Sequence, residues 1–172
     1  MGFVATISSQ YLNIASAGGV LTLSVEDSLE RHFGLRHHKQ RVGRLLAKHL
    51  KSFSEVPKNC HALSIPVPKD ETLVRQLLLK LRAIDRLLDD IACEPLGPKV
   101  VERALGITTQ ERLRWSKDGR LPLRGTGQLR YNKVVSFPTY APEKLDVLIS
   151  NPAAIAVWRQ LDAGHEAATD DD

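Results

Sequence analysis

Residues 98–122 read Pro98-Lys99-Val100-Val101-Glu102-Arg103-Ala104-Leu105-Gly106-Ile107-Thr108-Thr109-Gln110-Glu111-Arg112-Leu113-Arg114-Trp115-Ser116-Lys117-Asp118-Gly119-Arg120-Leu121-Pro122. Proline suits the first position of a helix, because the N–H it lacks has no partner there anyway. A short helix over Lys99 to Leu105 follows, with Val100, Val101, Ala104 and Leu105 as its inward side. Gly106 stops it. Thr108 or Thr109 caps a second helix with Glu111 in its first turn, where a carboxylate complements the helix dipole. That helix runs to about Asp118, and Gly119 is the natural residue to leave it in a left-handed conformation. Two short helices joined by a tight turn containing glycine form a helix-turn-helix, whose second helix is narrow enough to enter a major groove.

The flanking sequence extends the pattern. Arg120-Leu121-Pro122 leaves the second helix extended, and Arg124-Gly125-Thr126-Gly127 makes a turn. Gln128 to Tyr140 is rich in Leu, Tyr, Val and Phe, which favour strands. Ala141-Pro142-Glu143-Lys144-Leu145 opens another helix. The order helix, turn, helix, hairpin, helix is that of a winged helix-turn-helix, whose wing carries Arg124, Arg130 and Lys133 near glycines.

Ala104-Leu105-Gly106-Ile107-Thr108, then Trp115-Ser116-Lys117-Asp118-Gly119-Arg120-Leu121-Pro122, resembles the DNA-binding domains of phage excisionases and MerR-type regulators. Gly127-Gln128-Leu129-Arg130-Tyr131 is similar to the wing of that superfamily, and Ala141 to Ile149 to its closing helix. The resemblance covers about residues 97–149. Three positions before the Trp, where these domains carry an aliphatic residue, this chain has Arg112, with Leu113 beside it. The resemblance implies sequence-specific binding of double-stranded DNA, in transcriptional regulation or a phage- or plasmid-type accessory role. Thr109, Gln110 and Arg112, near the start of the second helix, are the residues placed to reach base edges. Gln pairs bidentately with adenine and Arg with guanine, each worth about 1–3 kcal/mol of discrimination. Arg114, Lys117, Arg124, Arg130 and Lys133 are candidates for phosphate contacts, which set affinity and salt dependence. Tyr131 is either a phosphate donor or wing core. Trp115 belongs in the core, since so large an aromatic is needed to hold a small domain together.

The N-terminal half is expected to be a helical module over residues 1–94. Val20 to Val25 alternates after Gly18-Gly19 and suits a short strand. Ser24 to Asp27 offers helix-capping chemistry, and Leu29, Phe33 and Leu35 give an apolar stripe interrupted at Gly34. Residues 35–52 read as a helix with Leu35, Val42, Leu45, Leu46, His49 and Leu50 on one side. Arg41, Arg44, Lys48 and Lys51 fall at steps of 3, 4 and 3 and make a cationic row, a second candidate basic surface. Residues 53–68, with Pro57, Pro66 and Pro68, read as a linker. Residues 69–93 form the clearest helix. Leu77, Leu81, Ile84, Leu88 and Ile91 recur at a period near 3.5, a seam that either pairs with another helix or packs on its own domain. Asp85, Asp89 and Asp90, interleaved with Arg82 and Arg86, read as members of intrahelical ion pairs.

Composition fits this organisation. The 172 residues are 42% apolar and only 5% aromatic, so the core must be aliphatic. The net charge of +4 is uneven: residues 28–58 carry +6, residues 99–133 carry +6, and the remainder −8. Two basic blocks in an otherwise acidic chain suit a polyanion. No apolar run reaches the length of a membrane span. Met1 to Thr6 shows neither the cationic nor the apolar region of a secretory leader, so secretion is not expected, and Gly2 with Thr6 fits a short myristoylation pattern. Two cysteines, Cys60 and Cys93, without paired spacing make the reducing cytosol the expected compartment, with the nucleoid when bound to DNA. His37-His38, His49 and Cys60-His61 lack the paired spacing of a zinc site, and no enzyme or cofactor motif is present.

The sequence thus gives a mainly α protein. A helical N-terminal module is followed by a winged helix-turn-helix with closing helices over residues 95–162, the last of them presenting Ile155, Val157, Trp158 and Leu161 for docking. A disordered acidic tail over 163–172 ends the chain. A homodimer through helix 69–93 is expected, because two half-sites multiply specificity. The alternative is a protein-interaction adaptor that uses helix 69–93 and keeps the winged helix as scaffold. A third possibility is RNA binding by the basic segment 31–51.

Overall fold

The computed structural model describes residues 9–57, 59–130 and 134–169, with side chains as far as residue 164. The chain divides into two compact units, Met1–Glu94 and Pro95–Asp172.

The first unit is not simply helical. It contains a three-stranded antiparallel sheet, with β1 (Asn13–Ala17), β2 (Val20–Ser24) and β3 (Ala62–Pro66) in the order β1-β2-β3. Gly18 and Gly19, both at positive φ (58° and 77°), make the two-residue turn between β1 and β2. A side chain would strain both positions. β3 lies inside the segment whose prolines suggested a linker. It is an edge strand paired only with β2, and Pro66 stands at its end, where the missing N–H costs no ladder bond.

Four helices share a core with this sheet: α1 (Glu26–Arg31), α2 (Phe33–His37), α3 (Lys39–Leu50) and α4 (Glu71–Ala92). The helix expected over 35–52 is thus split between α2 and α3. Asp70 caps α4 by accepting from the N–H groups of Thr72 (2.7 Å) and Leu73 (3.3 Å). The seam Leu77, Leu81, Ile84, Leu88 and Ile91 is buried within its own unit, with Leu35, Val42, Leu46 and Leu50 from the helices and Leu21, Leu23 and Ile65 from the sheet. Each such burial removes about 1.5–3 kcal/mol of apolar exposure. The five seam residues are therefore unavailable to a partner helix. An interface through 69–93 would have to use Leu73 and Leu79, which are exposed.

Gly34 does not interrupt packing; it permits it. A Cβ there would lie 2.3 Å from the Ala92 carbonyl oxygen, so α2 meets the end of α4 backbone to backbone. Asp85 and Asp89 differ from expectation too. Asp85 accepts from the Ser9 hydroxyl and from the N–H groups of Gln10 and Tyr11, and Asp89 accepts from the Tyr11 hydroxyl at 2.7 Å. The two carboxylates tie the strand entering β1 to α4. Burial, then the Asp89 hydrogen bond, pushes the Tyr11 hydroxyl pKa well above the usual phenol range.

The second unit contains α5 (Pro98–Leu105), α6 (Thr109–Lys117), a hairpin of β4 (Leu123–Arg130) and β5 (Val134–Tyr140), α7 (Pro142–Ser150) and α8 (Pro152–Thr169). Its core gathers Leu96, Val101, Ile107, Trp115, Leu121, Tyr140, Leu145 and Ile155. Leu96 and Tyr140 exchange two backbone hydrogen bonds of 3.0 Å, which anchors the hairpin base beside the entry to α5. α8 continues through 163–169, part of the stretch expected to be a disordered tail, while 170–172 lie outside the described residues. Val157 and Leu161, expected to dock, are exposed.

The fold class is therefore mixed, not mainly α with a single hairpin. About 55% of the chain is helix and 20% strand, with eight helices and two small antiparallel sheets among the described residues. Of the first unit's sheet only β2 is legible in the sequence, as the strand Val20 to Val25; β1 and β3 are missed because they are short, one running into Gly18-Gly19 and the other ending on Pro66, which read locally as loop. No described helix is long and apolar enough to cross a membrane.

Candidate functional site

α6 is set by a reciprocal cap. The Thr108 hydroxyl accepts from the Glu111 N–H at 3.1 Å, and the Glu111 carboxylate accepts from the Thr108 N–H at 2.7 Å. This satisfies two N–H groups that the helix start leaves without partners. Before it, Gly106 (φ 62°) ends α5 in the left-handed region; after it, Gly119 (φ 84°) turns the chain toward the hairpin.

The roll of α6 about its axis is fixed from inside. Trp115 is fully buried, donates its indole N–H to Asp162 at 2.8 Å and meets Trp158 edge to face at 5.0 Å between ring centroids. Arg120 lies over both rings and donates to Asp118 and Asp162. Burial raises the Asp162 pKa, but the hydrogen bonds from Trp115 and Arg120 outweigh it, and the carboxyl ends below its usual range. Arg159 on α8 donates to Glu111 at 2.6 Å and to the Gly106 carbonyl at 2.9 Å, which holds the turn between α5 and α6.

Arg112 corrects the expected base-reading set. It is only 6% exposed. Its Nε donates to Glu102 at 2.9 Å and its Nη1 to the Tyr140 hydroxyl at 2.9 Å, and Ser116 shares that hydroxyl at 3.0 Å. Hydrogen bonds from Lys99, then Arg112, hold the Glu102 carboxyl down at about 2. Arg112 thus fills the inward position that the resemblance assigns to an aliphatic side chain. A residue enclosed in this way does not reach a base edge.

The outward side of α6 is made by Thr109, Gln110, Leu113, Arg114 and Lys117, all exposed, and no acid stands among them. Thr109 accepts a 3.4 Å hydrogen bond from Lys99. Arg114 lies 3.2 Å from Asp162, so part of its charge is met within the unit. Leu113 was not singled out from the sequence. It is 54% exposed, because two residues before the buried Trp115 is about 200° around the helix, on the opposite side.

The hairpin carries Arg124, which lies 3.9 Å from Glu143, and Arg130, which is exposed. Its sequence from Leu123 to Tyr140 contains no Asp or Glu. Tyr131 and Lys133 lie outside the described residues. Gly127 faces Phe137 across the strands, and a Cβ there would stand 2.7 Å from that ring. Further out, the cross-strand pair Leu129 and Val135 is 63% and 56% exposed.

On the first unit, Arg41 pairs with Glu94, while Arg44, Lys48 and Lys51 are exposed. No group of three or more His, Cys, Asp or Glu among the described residues is placed to hold a metal ion. Comparison with protein-family models, with curated proteins and with solved structures finds no match for this chain.

Proposed function

We propose that the second unit binds double-stranded DNA, with α6 in the major groove and the β4–β5 hairpin on the adjoining backbone. The observation that supports this best is the outward side of α6. It presents a hydrogen-bonding pair (Thr109, Gln110), an apolar residue (Leu113) and two cations (Arg114, Lys117), while Trp115 and Arg112 fix the opposite side. This mixture is suited to base edges. Gln bonds adenine at two points, an apolar side chain packs on a thymine methyl, and flanking cations meet phosphates. An acid-free hairpin beside it adds Arg130 without repelling the polyanion.

Selection of bound duplexes from a random pool with the full chain tests the proposal. It predicts enrichment of a defined sequence, and an affinity that falls steeply as salt is raised, because each neutralised phosphate releases counterions. Binding indifferent to salt, or a pool that stays random, overturns it.

A further inference from the structure

We propose that the exposed face of α3 formed by Arg44, Lys48 and Lys51 is a second site for the phosphate backbone of duplex DNA, outside the segment that α6 reads. The inference rests on the DNA-binding function proposed for the second unit.

From Arg36 to Ser54 the chain holds six cations and no acid. Val42, Leu46 and Leu50 are buried, which fixes the roll of α3 and turns Arg44, Lys48 and Lys51 outward together. Their steps of four and three residues keep them on one face, about 10 Å long at the rise of an α-helix. Arg41 is drawn aside by Glu94. The other three form no ion pair among the described residues; the Nε of Arg44 bonds only to the Gln40 carbonyl of its own helix, at 3.3 Å. Like charges at these spacings repel, so the row does not serve the stability of an isolated helix.

The second unit makes the contrast. There Lys99 and Arg112 meet Glu102, Arg114 meets Asp162, Arg120 meets Asp118 and Asp162, and Arg124 lies near Glu143. Five cations of that unit's basic block thus each face a carboxylate, whereas Arg44, Lys48 and Lys51 face none among the described residues.

The chemistry favours a phosphodiester backbone over a bilayer. A helix that lies on a membrane sets apolar side chains beside its cations. The exposed residues of α3 are Lys39, Gln40, Arg41, Arg44 and Lys48, and none is apolar. Such a face meets phosphates without reading bases.

The test compares the full chain with its Arg44→Ala/Lys48→Ala/Lys51→Ala variant on a short random-sequence duplex across a salt series, and on phosphatidylserine vesicles. Loss of three phosphate contacts lowers the log–log salt slope by about 2–3, at about 0.9 per contact. The sequence preference selected from a random pool stays unchanged. Lys48→Arg/Lys51→Arg keeps the slope, and an unchanged far-ultraviolet spectrum shows that the triple variant is folded. An unaltered slope in the folded triple variant overturns the inference, as does loss of vesicle binding with duplex binding intact. If the unsubstituted chain binds no duplex at all, the function proposed for α6 fails and this inference fails with it; if it binds and only the slope comparison fails, the α6 proposal stands.

Discussion

The guanidinium of Arg112 and the hydroxyl of Tyr140 meet at 2.9 Å behind α6. This joins the helix with the exposed side chains to the last residue of the hairpin. Glu102 on α5 completes the link by accepting from Arg112 at 2.9 Å. One buried cation thus connects three elements of the second unit.

Replacing Arg112 with Ala should therefore act on folding and not on base choice. Breaking one side of a nearly enclosed pair is costly, though Glu102 keeps Lys99 as a partner, so the expected loss is about 2–3 kcal/mol. Thermal unfolding followed by circular dichroism checks this. A stable Arg112→Ala chain with an altered target sequence would mean that the guanidinium points outward.

The same network gives a pH dependence. Glu102 sits at about 2, against an ordinary value of 4.5. A carboxyl lowered by folding contributes stability that is fully present above its unfolded value. That contribution is lost as pH falls from about 4.5 toward about 2. Glu102→Gln should flatten the acid limb of the stability curve across that window. Denaturant titrations at several pH values measure it, and an acid limb identical in the variant would remove Glu102 as its source.

Gly34 and Gly127 should resist substitution for the same reason, a neighbour where a Cβ would go. The Ala92 carbonyl oxygen lies 2.3 Å from the Gly34 position and the Phe137 ring 2.7 Å from the Gly127 position. Overpacking of this kind typically costs about 1–3 kcal/mol. Gly34→Ala should be the worse of the two, because its obstacle is backbone and cannot rotate away, while the Phe137 ring is a side chain. Equilibrium denaturation of each variant ranks them.

Arg130 and Gln110 should separate affinity from specificity. Arg130→Ala is expected to weaken binding to every duplex alike and to reduce the salt slope by about 0.9. Gln110→Ala should leave the slope in place and relax the preference at one base pair by about 1–3 kcal/mol. Binding isotherms on matched and mismatched duplexes distinguish the two; the reverse pattern would move the reading position from α6 to the hairpin.

Much of the second unit could be read from local chemistry. Thr108 with Glu111, Gly106 and Gly119, and Pro98 and Pro142 each mark a boundary through backbone rules that need no tertiary partner. The 3.6-residue spacing of Val42, Leu46 and Leu50, and the narrower seam of α4, gave α3 and α4 of the first unit for the same reason. The outward cations Lys117 and Arg130 were also legible, since nothing in the fold competes for them among the described residues.

What the sequence determined by itself was the start and stop of α5 and α6, the start of α7 and the apolar sides of α3 and α4, because capping and periodicity act within a few residues; the break between α2 and α3 and the length of α8 it did not give. Only the tertiary structure decided which charged side chains are available. Arg112 and Lys117 lie on the same helix, five residues apart, yet one is enclosed by Glu102 and Tyr140 and the other is exposed. It likewise joined Ala62–Pro66 to a strand some forty residues earlier and spent the α4 seam on the unit's own core. Those outcomes depend on neighbours distant in the chain. Desolvation and pairing are properties of the assembled surroundings, and no short window of sequence contains them.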